Sequence, residues 1–340
     1  MSESRVTRER IFQYAFAFAP PLILEAAVRC RVFDALGAGP KTAAEVAAET
    51  RTSPRGARAL LNALVGLEFL ERHGDRYALA PGAETLLVST RPGFAGGMFR
   101  HTSRQLIPHW LHLTESVLTG RPAIAANQEG QGAEFFREFV EDLFANNYGA
   151  AQALADELKV AAAKAPVSVL DIAAGSGVWS IALAERSSQV RVTVVDWPAV
   201  IPVCRKVTAR HGVGDRYRYV PGDLLTTDFG TGYNVATLGH ILHSEGERRS
   251  RELLRKASAA MAPGGTVAIA EMIPNEDRTG PPQALIFALN MLVHTDDGDT
   301  FTFGEMSGWL REAGFVNPRQ LEVPGPSPLV LATKPGQVLV

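Results

Sequence analysis

Only two of the 340 residues are cysteine, Cys30 and Cys204, and they form no C-x-x-C and no metal-ligand spacing. That excludes a disulfide scaffold and the common zinc sites, and it fits a reducing cytoplasm. An excess of one charge is also missing. The 34 Lys+Arg and 36 Asp+Glu leave a net charge of −2, so no global field draws nucleic acid or anionic lipid. No run of about 18 uninterrupted apolar residues occurs, so no membrane-spanning helix is expected. Arg5, Arg8 and Arg10 precede an apolar run over residues 11–19, as in an export signal. Glu3 and Glu9 dilute the positive region, Pro20-Pro21 interrupt the run, and no small-residue cleavage site follows. A buried or dimer-forming helix is therefore the favoured reading. What remains is globular: 46% hydrophobic and 21% charged residues, with length for two domains and a proper core.

The first half reads as helical. Residues 21–36 carry Leu22, Leu24, Ala26, Ala27, Val28, Val32, Phe33 and Leu36 at helical spacing, stopped by Gly37 and Gly39. Thr42 with Glu45 three residues on makes a capping box for a short helix. Ser53 caps a third helix, with Pro54 at its first position. Residues 69–72 and 76–79, around His73-Gly74-Asp75, read as a hairpin. Three helices and a hairpin make a winged-helix pattern. A DNA-reading helix needs exposed polar or basic residues, and Ala59, Leu60, Leu61, Ala63, Leu64 and Val65 crowd the third helix, so a dimerisation module is favoured. Residues 94–120 and 133–159 are expected to be helical. The first of these holds His109 and His112, weak as a metal pair without a third ligand. The second carries a phenylalanine stripe and Tyr148.

The second half reads as an open α/β sheet. A strand over 167–172 runs into Ala173-Ala174-Gly175-Ser176-Gly177 and a helix, the layout for a nucleotide-like ligand at a strand's carboxyl end. A second strand ends in Asp196, 19 residues after Gly177, where a carboxylate can take both hydroxyls of a ribose. A third strand near 218–220 leads to Gly222-Asp223-Leu224, with Asp223 in reach of an adenine amino group and Leu224 against its ring. Strands over 233–238 and 266–270 follow, the latter ending in Glu271. Residues 319–323 and 329–333 are joined by too short a link for a helical crossover and must be antiparallel. Asp171, four residues before Gly175, decides against a dinucleotide, because a pyrophosphate cradle avoids a carboxylate there. A carboxylate suits a cation. S-adenosylmethionine carries an ammonium, a sulfonium, a ribose and an adenine, and no phosphate.

Residues 165–335 resemble the class I S-adenosylmethionine-dependent methyltransferases. Nearly the whole chain is similar to the small-molecule O-methyltransferases of plant phenolic and bacterial polyketide metabolism. The matching segments are Leu170–Gly177, Val195-Asp196-Trp197-Pro198, Gly222–Leu225, His240-Ile241-Leu242-His243, Ala262-Pro263-Gly264-Gly265 and Ala313-Gly314-Phe315. The resemblance implies an α/β Rossmann-like sheet of seven strands, six parallel and one antiparallel, behind an N-terminal all-helical winged-helix dimerisation domain. The expected division is residues 1–100 for dimerisation, 101–164 for a helical linker and substrate pocket, and 165–340 for the methyltransferase domain. The resemblance implies a homodimer; the charge balance and the lack of a long apolar run give the expectation of no nucleic acid or membrane partner, and no motif supports a metal.

The family's general base falls on His243, and its carboxylate partner on Glu271. The cofactor set is Asp171, Ala173, Gly175, Gly177, Asp196, Trp197, Gly222, Asp223, Leu224 and Gly239. Position alone nominates Trp110, Tyr148, Phe287, Asn290, Met291 and His294 as the wall for a flat aromatic or polyketide-like acceptor. Moving a proton from a phenol (pKa about 10) to an ordinary imidazole (about 6.5) is uphill by ~5 kcal/mol, so transfer is coupled to attack. Two departures from the family stand out. Its Asp-Trp after the histidine is Ser244-Glu245 here, and a second carboxylate falls on Thr300. Alternatives on the same scaffold are C- or N-methylation, a non-methylating descendant, or a DNA-binding regulator.

Overall fold

The computed structural model describes residues 6–325 and 327–336. They form two compact units that divide between Pro108 and His109.

In the first unit the capping signals act as read. The Thr42 hydroxyl accepts from Glu45 N and the Glu45 carboxylate accepts from Thr42 N, opening the helix Ala43–Thr50. The Ser53 hydroxyl accepts from Gly56 N and Pro54 opens the helix Pro54–Gly66. The helix expected over residues 21–36 is two, Ala19–Arg29 and Val32–Leu36, because Arg31 adopts a left-handed φ of 60° between them. The unit is not all-helical. Strand β1 (Lys41–Thr42) joins the hairpin β2 (Leu70–His73) and β3 (Arg76–Leu79) in an antiparallel sheet of order β1-β3-β2. Leu24, Phe33, Leu36, Val46, Leu61 and Leu64 form its core. The helices Arg8–Ala15 and Ala19–Arg29 lie in a stretch of 22 residues, Arg8–Arg29, which is long and apolar enough by length and composition to cross a membrane, where none was expected. Ile11, Phe12, Phe16 and Phe18 along it are exposed.

The second unit holds seven strands: β4 (Val167–Ile172), β5 (Val190–Asp196), β6 (Tyr217–Pro221), β7 (Tyr233–Gly239), β8 (Met261–Ala270), β9 (Val316–Leu321) and β10 (Leu329–Thr333). Their order is β6-β5-β4-β7-β8-β10-β9, and β10 runs antiparallel to both neighbours, so six strands are parallel and one is not. Side chains alternate between two cores. Val169, Val192, Val194, Val235 and Leu331 face one, while Leu170, Ile172, Val195, Leu238 and Ile269 face the other. Both faces are dry, which is why these strands are apolar runs rather than alternating ones.

Two long helices expected from the pattern are broken. Residues 94–120 resolve into short turns, Gly97–His101, Thr102–Leu106, Ile107–Trp110 and Leu113–Thr119. Residues 133–159 become Glu129–Phe139 and Phe144–Glu157, parted by a turn at 140–143. The aromatic periodicity continued through that turn and concealed it.

Candidate active site

Strand order reverses between β4 and β7, and the crevice beyond their carboxyl ends is where open α/β sheets bind ligands. A cavity of about 900 Å³, counting solvent at its mouth, lies there within the second unit. The turn after β4 supplies Ala173, Ala174, Gly175 and Ser176, β5 ends in Asp196-Trp197, and β7 ends in Gly239-His240. Phe136, Val140, Leu143 and Asn147 line it from the helical side. Asp223 and Leu224, with Glu245 and Arg249, line it as well.

The turn needs left-handed backbone at Ala173 (φ 54°), Gly175 (φ 55°) and Gly177 (φ 79°). At Gly177 a Cβ would also lie 3.0 Å from Cys204 Sγ. Gly239 is required by close approach, since a Cβ there would stand 1.9 Å from the Trp179 indole nitrogen.

Asp196 spans the turn. Its Oδ2 accepts from Gly175 N at 2.8 Å and its Oδ1 from Trp197 N at 2.7 Å. Burial nevertheless pushes its carboxyl up to about 7, against those hydrogen bonds, and Asp171 adds to the rise. Asp171 is itself raised to about 6 by burial. Two buried acids this close are costly as anions, and a cationic or hydroxyl-donating ligand would offset the cost.

Beside the cavity lies a second constellation. His243 Nδ1 stands 2.6 Å from Glu271 Oε2, and the His243 backbone N–H donates to Oε1 at 3.2 Å. Both side chains are buried. Burial alone would raise the Glu271 carboxyl, but the His243 imidazole against it holds it below the ordinary value. A carboxylate only accepts, so Nδ1 carries the proton and Nε2 keeps its lone pair. The Phe287 ring meets the imidazole edge-on, with centroids 4.9 Å apart at 88°. His240, held at φ 60° at the end of β7, completes the group, and burial pushes it down to about 4. The donor atoms of His240, His243 and Glu271 lie within 4.8 Å of one another, the grouping among the described residues with spacing for a metal. Tetrahedral zinc ligands stand ~3.3 Å apart. In this structure His243 and Glu271 are instead committed to each other.

The structure sorts the expected residues. Ala173, Gly175, Asp196, Trp197, Asp223, Leu224 and Gly239 line the cavity. Asp171, Gly177 and Gly222 do not. Asp171 is fully buried, and its oxygens accept from Ser180 Oγ (2.5 Å) and Thr237 Oγ1 (2.7 Å), the latter its register partner on β7. It ties β4 to β7 and to the following helix. The helix Pro282–His294 carries Phe287, Asn290, Met291 and His294 on one stripe, and Trp110 Nε1 donates to Asn290 Oδ1 at 2.8 Å. Tyr148 does not join that stripe. Its hydroxyl is 2.5 Å from Glu185 Oε2, its ring packs on Phe144 and His211, and burial followed by Glu185 pushes it up to about 12. Glu245 stood out in the sequence only as a departure from the family's Asp-Trp, and Arg249 had no nominating signal beyond its i, i+4 spacing from Glu245. His240 is marked in the sequence only by the His240–His243 segment it opens.

Residues 12–89 match the O-methyltransferase dimerisation domain, and residues 110–316 match the O-methyltransferase domain. The chain belongs to the O-methyltransferase family. It is accordingly an S-adenosylmethionine-dependent methyltransferase. It is 32% identical to the tetracenomycin polyketide synthesis 8-O-methyl transferase TcmO of Streptomyces glaucescens, over 96% of each chain. It is 31% identical to the 3-hydroxy-5-methyl-1-naphthoate 3-O-methyltransferase of Streptomyces sahachiroi, over 89% of this chain and 88% of that one. Among solved structures, PigF with S-adenosylhomocysteine (SAH) superposes with a TM-score of 0.78 at 26% identity, over 97% of this chain and 100% of that one. PigF is an S-adenosyl-L-methionine-dependent methyl transferase of a Serratia species. The buried acids and glycine turn suit a cofactor bearing a cation and ribose hydroxyls.

Proposed function

We propose that the enzyme methylates a hydroxyl of an aromatic, polyketide-like small molecule, with His243 as general base. The hydrogen-bonded pair of His243 and Glu271 carries this reading. When bound, S-adenosylmethionine supplies an electrophilic methyl group on a sulfonium. Ala173, Gly175, Asp196, Trp197, Asp223, Leu224 and Gly239 would hold it, with Asp196 accepting from the ribose hydroxyls. His243 Nε2 takes the acceptor's proton as its oxygen becomes nucleophilic. Glu271 fixes the tautomer and stabilises the imidazolium that forms. Phe287, Asn290, Met291 and His294, with Trp110, are the acceptor's wall. From Phe287 to His294 the helix rises ~10 Å, the scale of a fused-ring acceptor. The likeness to TcmO and to the naphthoate enzyme supports an aromatic hydroxyl.

The working form in this reading is a homodimer in a reducing cytoplasm. Support comes from the exposed Ile11, Phe12, Phe16 and Phe18, the dimerisation-domain match, and the unpaired Cys30 and Cys204.

The test is SAH formation with a panel of phenols, enols and amines. His243→Ala should lower turnover about 10²- to 10⁴-fold while leaving the SAH Kd within about twofold. Full activity in that variant would remove the base assignment.

A further inference from the structure

One end of the cofactor cavity is lined by three charged side chains, Asp223, Glu245 and Arg249. Glu245 is one of the two residues that depart from the family's Asp-Trp. Its side chain is 4% exposed and its Oε2 accepts from Arg249 Nε at 2.6 Å. The pair spans a break rather than a regular helical turn. Gly246, between them, has φ 72° and ψ 169° inside the helix Leu242–Ala260, and a Cβ there would stand 2.5 Å from Asp297 O. Asp223 is constrained from the other side. Its Oδ1 accepts from Leu225 N (2.9 Å) and Thr226 N (3.1 Å), so Oδ2 is the oxygen left toward Arg249, 3.6 Å from Nη2. Burial would raise Glu245 and lower Arg249, and each is opposed by the charge of the other.

The guanidinium is thus fixed along its Nε edge with a second arm beside a carboxylate. A hydrogen-bond donor and an acceptor stand side by side on the cavity wall. The Watson–Crick edge of adenine is the complement, a donor at N6 next to an acceptor at N1. We propose that Arg249, positioned by Glu245, donates to adenine N1 while Asp223 accepts from N6, so that this pair reads the base of the cofactor. The departure at Glu245 then has a purpose: it replaces an aromatic neighbour with the anchor for a base-reading arginine. The inference rests on the cavity being the cofactor site, and on neither the acceptor nor the base.

The test is calorimetric binding of SAH and its 1-deaza-adenine analogue, which lacks the N1 acceptor, to the wild type, Arg249→Met and Glu245→Gln. The wild type should bind SAH about 10- to 100-fold more tightly than the analogue, the range for a charge-assisted hydrogen bond. Arg249→Met should lose about that factor for SAH and bind the two ligands alike. Glu245→Gln should fall between, and Arg249→Lys should recover part of the discrimination. Equal binding of SAH and analogue by the wild type overturns the inference even if no variant folds. Undiminished discrimination in Arg249→Met overturns it too. No SAH binding by the wild type would overturn the cofactor site itself, a result distinct from binding without discrimination.

Discussion

Lowering the pH from about 8 to about 6 should weaken SAH binding about tenfold, and Asp196 is the reason. Its carboxyl is 7% exposed, and burial holds it near 7 despite two backbone donors. Ribose hydroxyls donate hydrogen bonds, so they select the carboxylate. The apparent Kd is the intrinsic value divided by the ionised fraction, about nine-tenths at pH 8 and about one-tenth at pH 6, hence the tenfold ratio. The same group makes a second statement with the opposite sense. An acid raised in the folded state favours folding at low pH and loses that advantage as pH rises from the unfolded value toward the folded one. The ligand-free enzyme should therefore lose stability between about pH 4 and 7, on the order of 4 kcal/mol from this residue. Asp171, raised to about 6, acts in the same direction over the lower part of that window. Calorimetry with SAH across this range, at constant ionic strength, measures the first effect, and thermal melts with and without SAH measure the second. Asp196→Asn should bind weakly at every pH and show no slope. A wild-type Kd that stays flat from pH 6 to 8 would refute the reasoning, as would an unchanged slope in Asp196→Asn.

Three substitutions separate neighbouring roles. Asp171→Asn should lower the melting temperature while leaving the SAH Kd within about twofold, since both oxygens serve Ser180 and Thr237; a tenfold Kd change without destabilisation would instead mean an ammonium contact. Gly239→Ala should raise the SAH Kd at least about tenfold in a folded protein, because the new Cβ must displace the Trp179 indole; near-ultraviolet circular dichroism checks the fold and calorimetry the Kd. Tyr148→Phe should leave acceptor KM and turnover unchanged and cost about 1 kcal/mol of stability or less, because its hydroxyl is bound to Glu185; a raised KM would return it to the acceptor wall.

The parts legible in the sequence are those whose signal is local. The Thr42–Glu45 capping box, Pro54 at a helix start, and the strands that end in Asp196 and Gly239 are written within a few residues. The short link before Leu329 was enough to make β10 antiparallel to β9. What escaped depends on partners far along the chain. The saturation of Asp171 follows from its register with Thr237, 66 residues on, and from Ser180 on another element. The wall residue Arg249 is aimed by a left-handed glycine that helical periodicity does not register. Tyr148 shares a spacing with the aromatic stripe but faces Glu185, which no pattern within its own helix specifies.

The helix Pro282–His294 stands outside the sheet, and its aromatic contact with the His243–Glu271 pair is through Phe287. Most groups proposed to hold the methyl donor follow strand ends fixed by the ladder, whereas four of the five proposed to face the acceptor sit on this separate helix. Selection can then exchange Asn290, Met291 or His294 without disturbing the donor's seat. One backbone can be retuned for new acceptors while its chemistry stays constant.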